Sequence, residues 1–302
     1  MKGDLTNATG LTWTALAEPS PNELAEFVRE ADLVPADAEF VVQNHHRPEV
    51  AVRDNYLIIL IHVPTFNKQT RTTAGVPLYF IVREGRLWTV HYEPIVVLDG
   101  LWSTFSTDED KRTEYFSEGA MSLALHLISE LYASAFKKLE RLASHIDIAE
   151  DAVFRGNERK MVEEVSLLMR DVMDFRKIIR LQTNLFTTIP NHPLLPAALA
   201  PLWGRINGQT KKLWDILEGL LESTTQLGET NRDLLQHKEN QLLRLLTVYS
   251  IFSIPAIILI SPYNRSSPFS NLWDTILYLG IFGTFMVALL VILFRAKRRR
   301  IL

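Results

Sequence analysis

The chain has 302 residues, contains no cysteine and carries a formal net charge of −3 at pH 7. The lack of cysteine excludes disulfides, thiolate metal sites and cysteine nucleophiles, while the length allows two domains and no repeat of about 20 to 50 residues stands out. The charge is unevenly spread. Residues 1–240 hold 34 acidic and 25 basic side chains, a balance of −9, whereas residues 241–302 hold one acidic and seven basic side chains, a balance of +6. We therefore expect the two parts to face different surroundings.

The amino-terminal part, residues 1–110, is predicted to be a mixed α/β domain in the cytoplasm. The beginning of the chain contains Asp4 and lacks an apolar core of signal-peptide length, so we expect no cleaved leader and a cytoplasmic amino terminus. Ser20, followed by a proline and then by Glu23, predicts a capped helix start. Three apolar runs predict strands, the last two joined as a hairpin: Tyr56–Val63, Val76–Val82 and Arg86–Tyr92.

Residues 111–192 are predicted to form a helical hairpin. Helix-forming residues fill positions 112–154 and 157–188, and Arg155 and Gly156 separate the two helices. The proline-rich stretch "IPNHPLLP" ends the pattern before the next helix begins.

Known catalytic motifs are absent from the sequence. It contains no Walker loop, no dinucleotide-binding glycine pattern after a strand, no His-Glu-x-x-His and no nucleophile elbow. His45 and His46 are adjacent, but neighbouring residues on a strand point to opposite faces, which argues against joint metal ligation. We therefore expect the chain not to be an enzyme and to need no resident cofactor.

A stalk helix is predicted over residues 193–244, continuing toward a membrane. From Leu202 to Ile254 the sequence has no proline, and apolar residues return at helical spacing. About 60 residues at roughly 1.5 Å each give a helix of about 90 Å, far longer than a bilayer is thick. We therefore expect this helix to project into the cytoplasm.

Two transmembrane helices are predicted near the carboxyl terminus. Residues 275–294 are 20 residues without a charge, and residues 245–261 are 17 residues without a charge, interrupted by Pro255. The basic tail, residues 295–302, follows directly and is expected to stay in the cytoplasm. The connecting loop, residues 262–274, is then the part of the chain exposed on the far side of the membrane.

One face of the stalk and first transmembrane helix alternates polar with aliphatic residues. Two helices per chain cannot enclose a pore, so a conduit requires a cyclic oligomer. Around a symmetric axis this face would present rings of amides, hydroxyls and aliphatic groups, as a gated ion path needs; an ordinary polar helix face is the alternative. The candidate pore-lining residues are Asn240, Leu243, Leu246, Thr247, Ser250 and Ile254.

The segment "NQLLRLLTVYSIFSIP" resembles the first transmembrane helix of the CorA family of divalent-cation channels. Asn240, Thr247 and Pro255 reproduce that family's spacing of asparagine, threonine and proline, and the upstream "HRPEVAVRDNYLIIL" is similar to a strand region of its cytoplasmic domain. The resemblance implies an α+β cytoplasmic domain, a long helical stalk and two transmembrane helices, assembled as a CorA-like funnel of five identical subunits in the inner membrane, with both termini in the cytoplasm.

The loop after the first predicted span departs from the family. Where the family has a Gly-Met-Asn signature, this chain has Pro262, Tyr263 and Asn264. The resemblance implies that Asn264, with Tyr263, forms the selectivity filter by accepting hydrogen bonds from the water shell of magnesium. Asparagine before "RSSP" is also a good turn former, and a ring of Arg265 side chains would repel cations unless it points away.

The resemblance also implies a regulatory metal site and a choice of ions. Glu229 lies eleven residues before Asn240, where the family has an aspartate in a magnesium site between subunits. Magnesium is the family's usual cargo and zinc, as in the ZntB branch, is the alternative. A hypothesis from another class is a membrane-anchored oligomer that senses metal or serves as a scaffold and conducts nothing.

Overall fold

The computed structural model describes residues 2–7, 10–44 and 47–260 and seven later positions, and for residues 252 and 254–260 it describes the backbone alone. The chain divides into two compact units, Met1–Asn231 and Arg232–Leu302. The later positions are Trp273, Ile276, Leu279, Gly280, Gly283, Thr284 and Val287.

A six-stranded sheet forms the centre of the first unit. Its order is β1-β2-β6-β5-β4-β3, in which β2 and β6 are parallel and the other neighbours are antiparallel. The expected mixed α/β domain and the β5–β6 hairpin are therefore confirmed. The strands are β1 Lys2–Thr6, β2 Thr12–Ala17, β3 Glu49–Val52, β4 Leu57–Asn67, β5 Thr72–Arg83 and β6 Arg86–His91.

Strand β4 is apolar at successive positions because both faces of the sheet are covered. Leu57, Ile59 and Ile61 belong to one buried cluster, whereas Ile58 and Leu60 belong to the cluster on the opposite face. Successive side chains of a strand point to opposite faces, so a run of five apolar residues serves two cores.

Seven helices are described. Helices α1 and α2 cover one face of the sheet, and residues of α3, α5, α6 and the first part of α7 cover the other. At the start of α1, the predicted cap is present: the Ser20 hydroxyl accepts from the Glu23 backbone N–H at 3.4 Å, and the Glu23 carboxylate accepts from the Ser20 N–H at 2.8 Å. The helices are α1 Pro21–Glu30, α2 Pro35–Gln43, α3 Val96–Thr107, α4 Glu109–Phe116, α5 Ala120–Ala152, α6 Glu158–Arg180 and α7 Ala200–Ile260.

The helical hairpin differs from the prediction at two places, Gly119 and the end of α6. The helix expected from residue 112 is divided by Gly119, whose φ of 97° belongs to the left-handed region. The predicted break at Gly156 is confirmed, with φ of 92° inside a π-helical turn. Helix α6 ends at Arg180 rather than near residue 188. The next helix begins only at Ala200, after a 3₁₀ turn.

Gln182, just after α6, joins this helix to the sheet. Strand β3 pairs with β4 only as far as Leu60. Beyond that point the backbone N–H and C=O of His62, on the same edge of β4, need other hydrogen-bond partners. The Gln182 carboxamide accepts from His62 N–H at 3.1 Å and donates to His62 C=O at 2.9 Å. It also accepts from the Tyr132 hydroxyl at 3.0 Å. One amide thereby continues the sheet where β3 stops and connects β4 to α5.

Candidate functional site: one face of the long helix

The first part of α7 is held by a buried stripe at helical spacing. Trp203 donates its indole N–H to the Phe186 carbonyl at 2.9 Å, and Arg176 of α6 forms an ion pair with Glu218. These contacts hold the helix against the preceding hairpin. The stripe consists of Trp203, Ile206, Thr210, Leu213, Leu217, Thr224, Leu227 and Asn231.

The candidate pore-lining residues lie beyond this stripe, where α7 exposes its side chains. Asn240, Thr247 and Ser250 are exposed, and Leu243 and Leu246 are each 60% exposed. At about 100° per residue these side chains fall within an arc of about 120°. The structure therefore brings the predicted residues to one helix face. The backbone of Ile254 is part of the same helix, and its side chain is outside the described residues.

The hydroxyl groups on this face are oriented by the helix itself. Thr247 Oγ1 donates to the Leu243 carbonyl at 2.8 Å, and Ser250 Oγ donates to the Leu246 carbonyl at 2.9 Å. Because each hydroxyl hydrogen is used within the helix, the remaining lone pairs of each oxygen are free to accept hydrogen bonds. Water bound to a metal cation presents hydrogens outward, so such oxygens suit a hydrated cation.

The same stretch of α7 also exposes large apolar side chains on its other sides, together with Gln241 and Arg244. Leu242 is 61% exposed, Leu245 is 66% exposed and Tyr249 is 70% exposed. Within the part of the chain that the structure describes, no helix combines the length and the apolar character needed to cross a membrane.

Glu229 lies on α7, and its side chain is exposed. Asn231, two residues on, is 3% exposed, and its Oδ1 has no partner among the described residues. Across residues 2–7, 10–44 and 47–260, no group of three or more histidine, aspartate or glutamate side chains is arranged to hold a metal ion. A regulatory site at Glu229 therefore requires ligands from elsewhere.

Several predictions concern residues outside those described. Asn264 and Tyr263 of the predicted filter are among them, as are most of residues 275–294. The segment predicted at 245–261 is helical as far as Ile260, the last residue of α7.

Sequence reasoning missed a polar cavity of about 480 Å³ at the end of the β5–β6 hairpin. Arg83 and Arg86 flank the turn of that hairpin, and Trp88 follows one strand repeat later. The sequence signal was the stretch "REGRLW", in which two arginines flank a hairpin turn and a tryptophan follows on the same side of the second strand as Arg86. The loop that closes the cavity, residues 192–194, is distant in sequence, so no local pattern indicated it.

Comparisons with known proteins agree with this architecture. The sequence profile of a family described as "CorA-like Mg2+ transporter protein" matches residues 8–264. The "Cobalt/magnesium transport protein CorA" of Thermotoga maritima is 21% identical over 276 residues, which are 87% of this chain and 76% of that protein.

Two solved structures share the fold. The complete CorA magnesium transporter of Methanocaldococcus jannaschii has a TM-score of 0.75 at 20% identity, covering 93% of this chain and 89% of that one. Full-length CmaX has a TM-score of 0.69 at 16% identity, covering 95% and 88%. The expected α+β domain with a long helix is thus confirmed, and a family of transporters agrees with the expectation that the chain is not an enzyme. The chain belongs to the CorA-like Mg²⁺ transporter protein family.

Proposed function

We propose that this chain is one subunit of a homopentameric channel that passes divalent metal cations, magnesium first among them, across the inner membrane. The relatives in Thermotoga maritima and Methanocaldococcus jannaschii carry names that describe magnesium transport, which supports the choice of cargo. Residues 245–261 and 275–294 are its proposed transmembrane segments, and the basic tail after them favours cytoplasmic termini.

The observation that carries this proposal is the alternation on the exposed face of α7. Five copies around an axis would stack a ring of Asn240 amides and rings of Thr247 and Ser250 oxygens, with Leu243 and Leu246 between them. Oxygen ligands suit magnesium, which keeps much of its water shell because it dehydrates reluctantly. Rings of leucine provide a constriction that closes by dewetting.

The remaining predicted sites fit the same assembly. Asn264, with Tyr263, is the proposed filter at the far mouth of the path. Glu229, exposed on α7, is the proposed contribution of each subunit to a regulatory site for a divalent ion. An ion bound between neighbouring subunits would stabilise the closed state when cytoplasmic metal is high.

Metal uptake into liposomes tests the path, and the helix offers a matched control. Thr247→Val keeps the shape of the side chain and removes the oxygen, and we expect a roughly tenfold loss of magnesium uptake, since one hydrogen bond to a charged group is worth about 1.5 to 3 kcal/mol. Thr225 makes the same bond to its own helix, to the Leu221 carbonyl at 2.7 Å, so Thr225→Val should leave uptake unchanged. Equal uptake by the two variants would place the ion path elsewhere.

The same assay distinguishes the alternatives. Asn264→Ala should abolish uptake if this residue is the filter. Zinc uptake that exceeds magnesium uptake would favour a ZntB-type transporter. If the wild-type protein takes up none of magnesium, zinc, cobalt or nickel, the non-conducting sensor or scaffold is the better description.

A further inference from the structure

Arg83 lies at the centre of three adjoining cavities in the first unit. It lines cavities of about 480, 500 and 300 Å³, which are formed by the β5–β6 hairpin, the turn around Asp54 and the loop from His192. The first of these falls within the size range of small-ligand sites, about 300 to 1,000 Å³. Its wall combines cationic, acidic and apolar residues.

The two guanidinium groups in this wall retain capacity for a ligand. Arg83 donates to the Ala31 carbonyl at 2.9 Å and contacts Asp32 at 3.3 Å, and Arg86 contacts Glu30 at 3.3 Å. Each ion pair is thus made through one nitrogen at a long distance, whereas carboxylates bind arginine best through two parallel bonds. Arg86 Nε is buried, and no acceptor for it exists among the described residues.

Trp88 supplies a second donor without a partner. This side chain is 1% exposed, and its indole N–H finds no acceptor in the part of the chain that the structure describes. Trp13 and Trp203, equally buried, donate at 3.0 and 2.9 Å. The guanidinium of Arg86 lies over the Trp88 ring at 4.9 Å, so the two unpaired donors are neighbours. Buried tryptophan normally finds a partner, and its absence marks a place where an acceptor is missing.

The rim of the cavity is acidic and its outer wall is apolar. Asp54 and Glu84 are exposed, and within the described residues neither carboxylate has an ion pair or a hydrogen bond. The loop beside them is fixed by His192, whose Nε2 lies 2.7 Å from the Arg53 carbonyl while its Nδ1 accepts from the Leu194 N–H at 3.1 Å.

We propose that this cavity binds a small zwitterion, an α-amino acid with an apolar side chain. Its carboxylate pairs with Arg83 and Arg86, and Arg86 moves off the Trp88 ring so that the indole N–H gains an acceptor. The ligand's ammonium group is taken by Asp54 and Glu84 at the rim, and its side chain contacts Pro193 and Leu194.

The charge distribution selects this class of ligand. Two free carboxylates at the rim repel a polyanion such as a nucleoside phosphate, and two guanidinium groups inside repel a metal cation. A zwitterion carries both charges, so its carboxylate can pair with the inner guanidinium groups while its ammonium group pairs with the carboxylates at the rim. The site consists wholly of residues before 231, and it does not depend on the proposed transport activity.

Calorimetric titration of the full-length protein in detergent tests the site with matched probes. The zwitterionic probe is L-leucine. Two probes are its half-molecules: 4-methylpentanoate lacks the amino group, and isopentylamine lacks the carboxylate. Inorganic phosphate is the fourth probe and tests for a simple anion site. We expect saturable binding of leucine, at least about tenfold tighter than binding of either half-molecule. Arg86→Lys, which keeps the charge and removes Nε–H, should weaken leucine binding about tenfold, and the exposed Arg205→Lys is the matched control.

Two further variants separate the two ends of the ligand. Asp54→Asn should weaken leucine binding and leave 4-methylpentanoate binding unchanged. Trp88→Phe should abolish the change in tryptophan fluorescence that accompanies the titration. Absence of leucine binding, tighter binding of phosphate than of leucine, or equal affinities of the Arg86→Lys and Arg205→Lys variants would each overturn the proposal.

Discussion

Replacement of Gln182 by leucine tests whether one carboxamide holds the helical hairpin to the sheet. Gln182 is fully buried and makes four hydrogen bonds: two with the backbone of His62, one with the Tyr132 hydroxyl and one with the Ile178 carbonyl. Leucine fills a similar volume without any polar atom. The substitution therefore removes the bonds while leaving the packing nearly intact.

The expected cost follows from the partners that are left behind. Three groups lose their bond to Gln182: the part-buried N–H and C=O of His62 and the buried hydroxyl of Tyr132. Each unsatisfied buried group costs about 1 to 3 kcal/mol, and the apolar side chain recovers part of this, so we expect a loss of about 4 kcal/mol. For a unit of this size that corresponds to a fall in melting temperature of roughly 8 to 16 °C.

Thermal unfolding and hydrogen exchange of the full-length protein measure this effect. Tyr132→Phe is the matched control, because it removes one bond and leaves His62 paired; we expect it to cost about 1 kcal/mol. Exchange of the His62 amide should accelerate in Gln182→Leu and not in Tyr132→Phe. If Gln182→Leu melts within about 2 °C of the wild type, with unchanged exchange at His62, the amide does not act as the missing strand partner.

Two ionisable groups give predictions about pH. Burial lowers the pKa of Lys138 to about 8 from its usual 10.5, with Asp171 opposing the shift. Burial of the charged amine therefore lowers the free energy of unfolding. This cost is complete below the folded pKa and disappears as the pH rises toward 10.5. Lys138→Met should stabilise the protein by roughly 2 to 3 kcal/mol at pH 7 and much less at pH 10. Equal thermal unfolding gains at both pH values would contradict this. Burial raises the pKa of Asp37, but hydrogen bonds from Arg53 and Tyr56 outweigh it and the net shift is downward. Asp37→Asn should therefore lower the melting temperature at pH 7, and its difference from wild type should shrink as the pH falls below 3.8; a constant difference would refute the assignment.

Local signals predicted the helices and strands that depend on near neighbours in sequence. The cap at Ser20 needs only three following residues, and the break at Gly156 needs only a backbone that tolerates positive φ. The apolar run of β4 predicts a strand from its residue types alone. The division at Gly119 was missed, since glycine within a helical pattern is often tolerated.

The candidate pore-lining residues share one face of α7 in the structure, as the sequence predicts, and the reason is local. The spacing of Asn240, Thr247 and Ser250 follows from the helical repeat alone, so the shared face was predictable. The orientation of the Thr247 and Ser250 hydroxyls was not predicted from the sequence. A general rule was available, since serine and threonine within a helix commonly donate to the carbonyl four residues earlier. The cavity at Arg83 was missed, because its wall joins three segments that are far apart in the chain.

The long helix, the apolar strands and the uneven charge were predictable from the sequence, because helical spacing, side-chain alternation and residue content act over a few neighbouring positions. The family was indicated by the resemblance of one short helical segment. Tertiary structure alone decided that β2 lies parallel to β6, that Gln182 completes the pairing of His62, 120 positions away, and that Trp88 is buried without an acceptor. Contacts between residues so far apart in sequence depend on which surfaces the chain can bury together once its loops are closed. The balance between the burial of these surfaces and the entropy cost of closing the loops is a property of the whole folded unit and of no single segment.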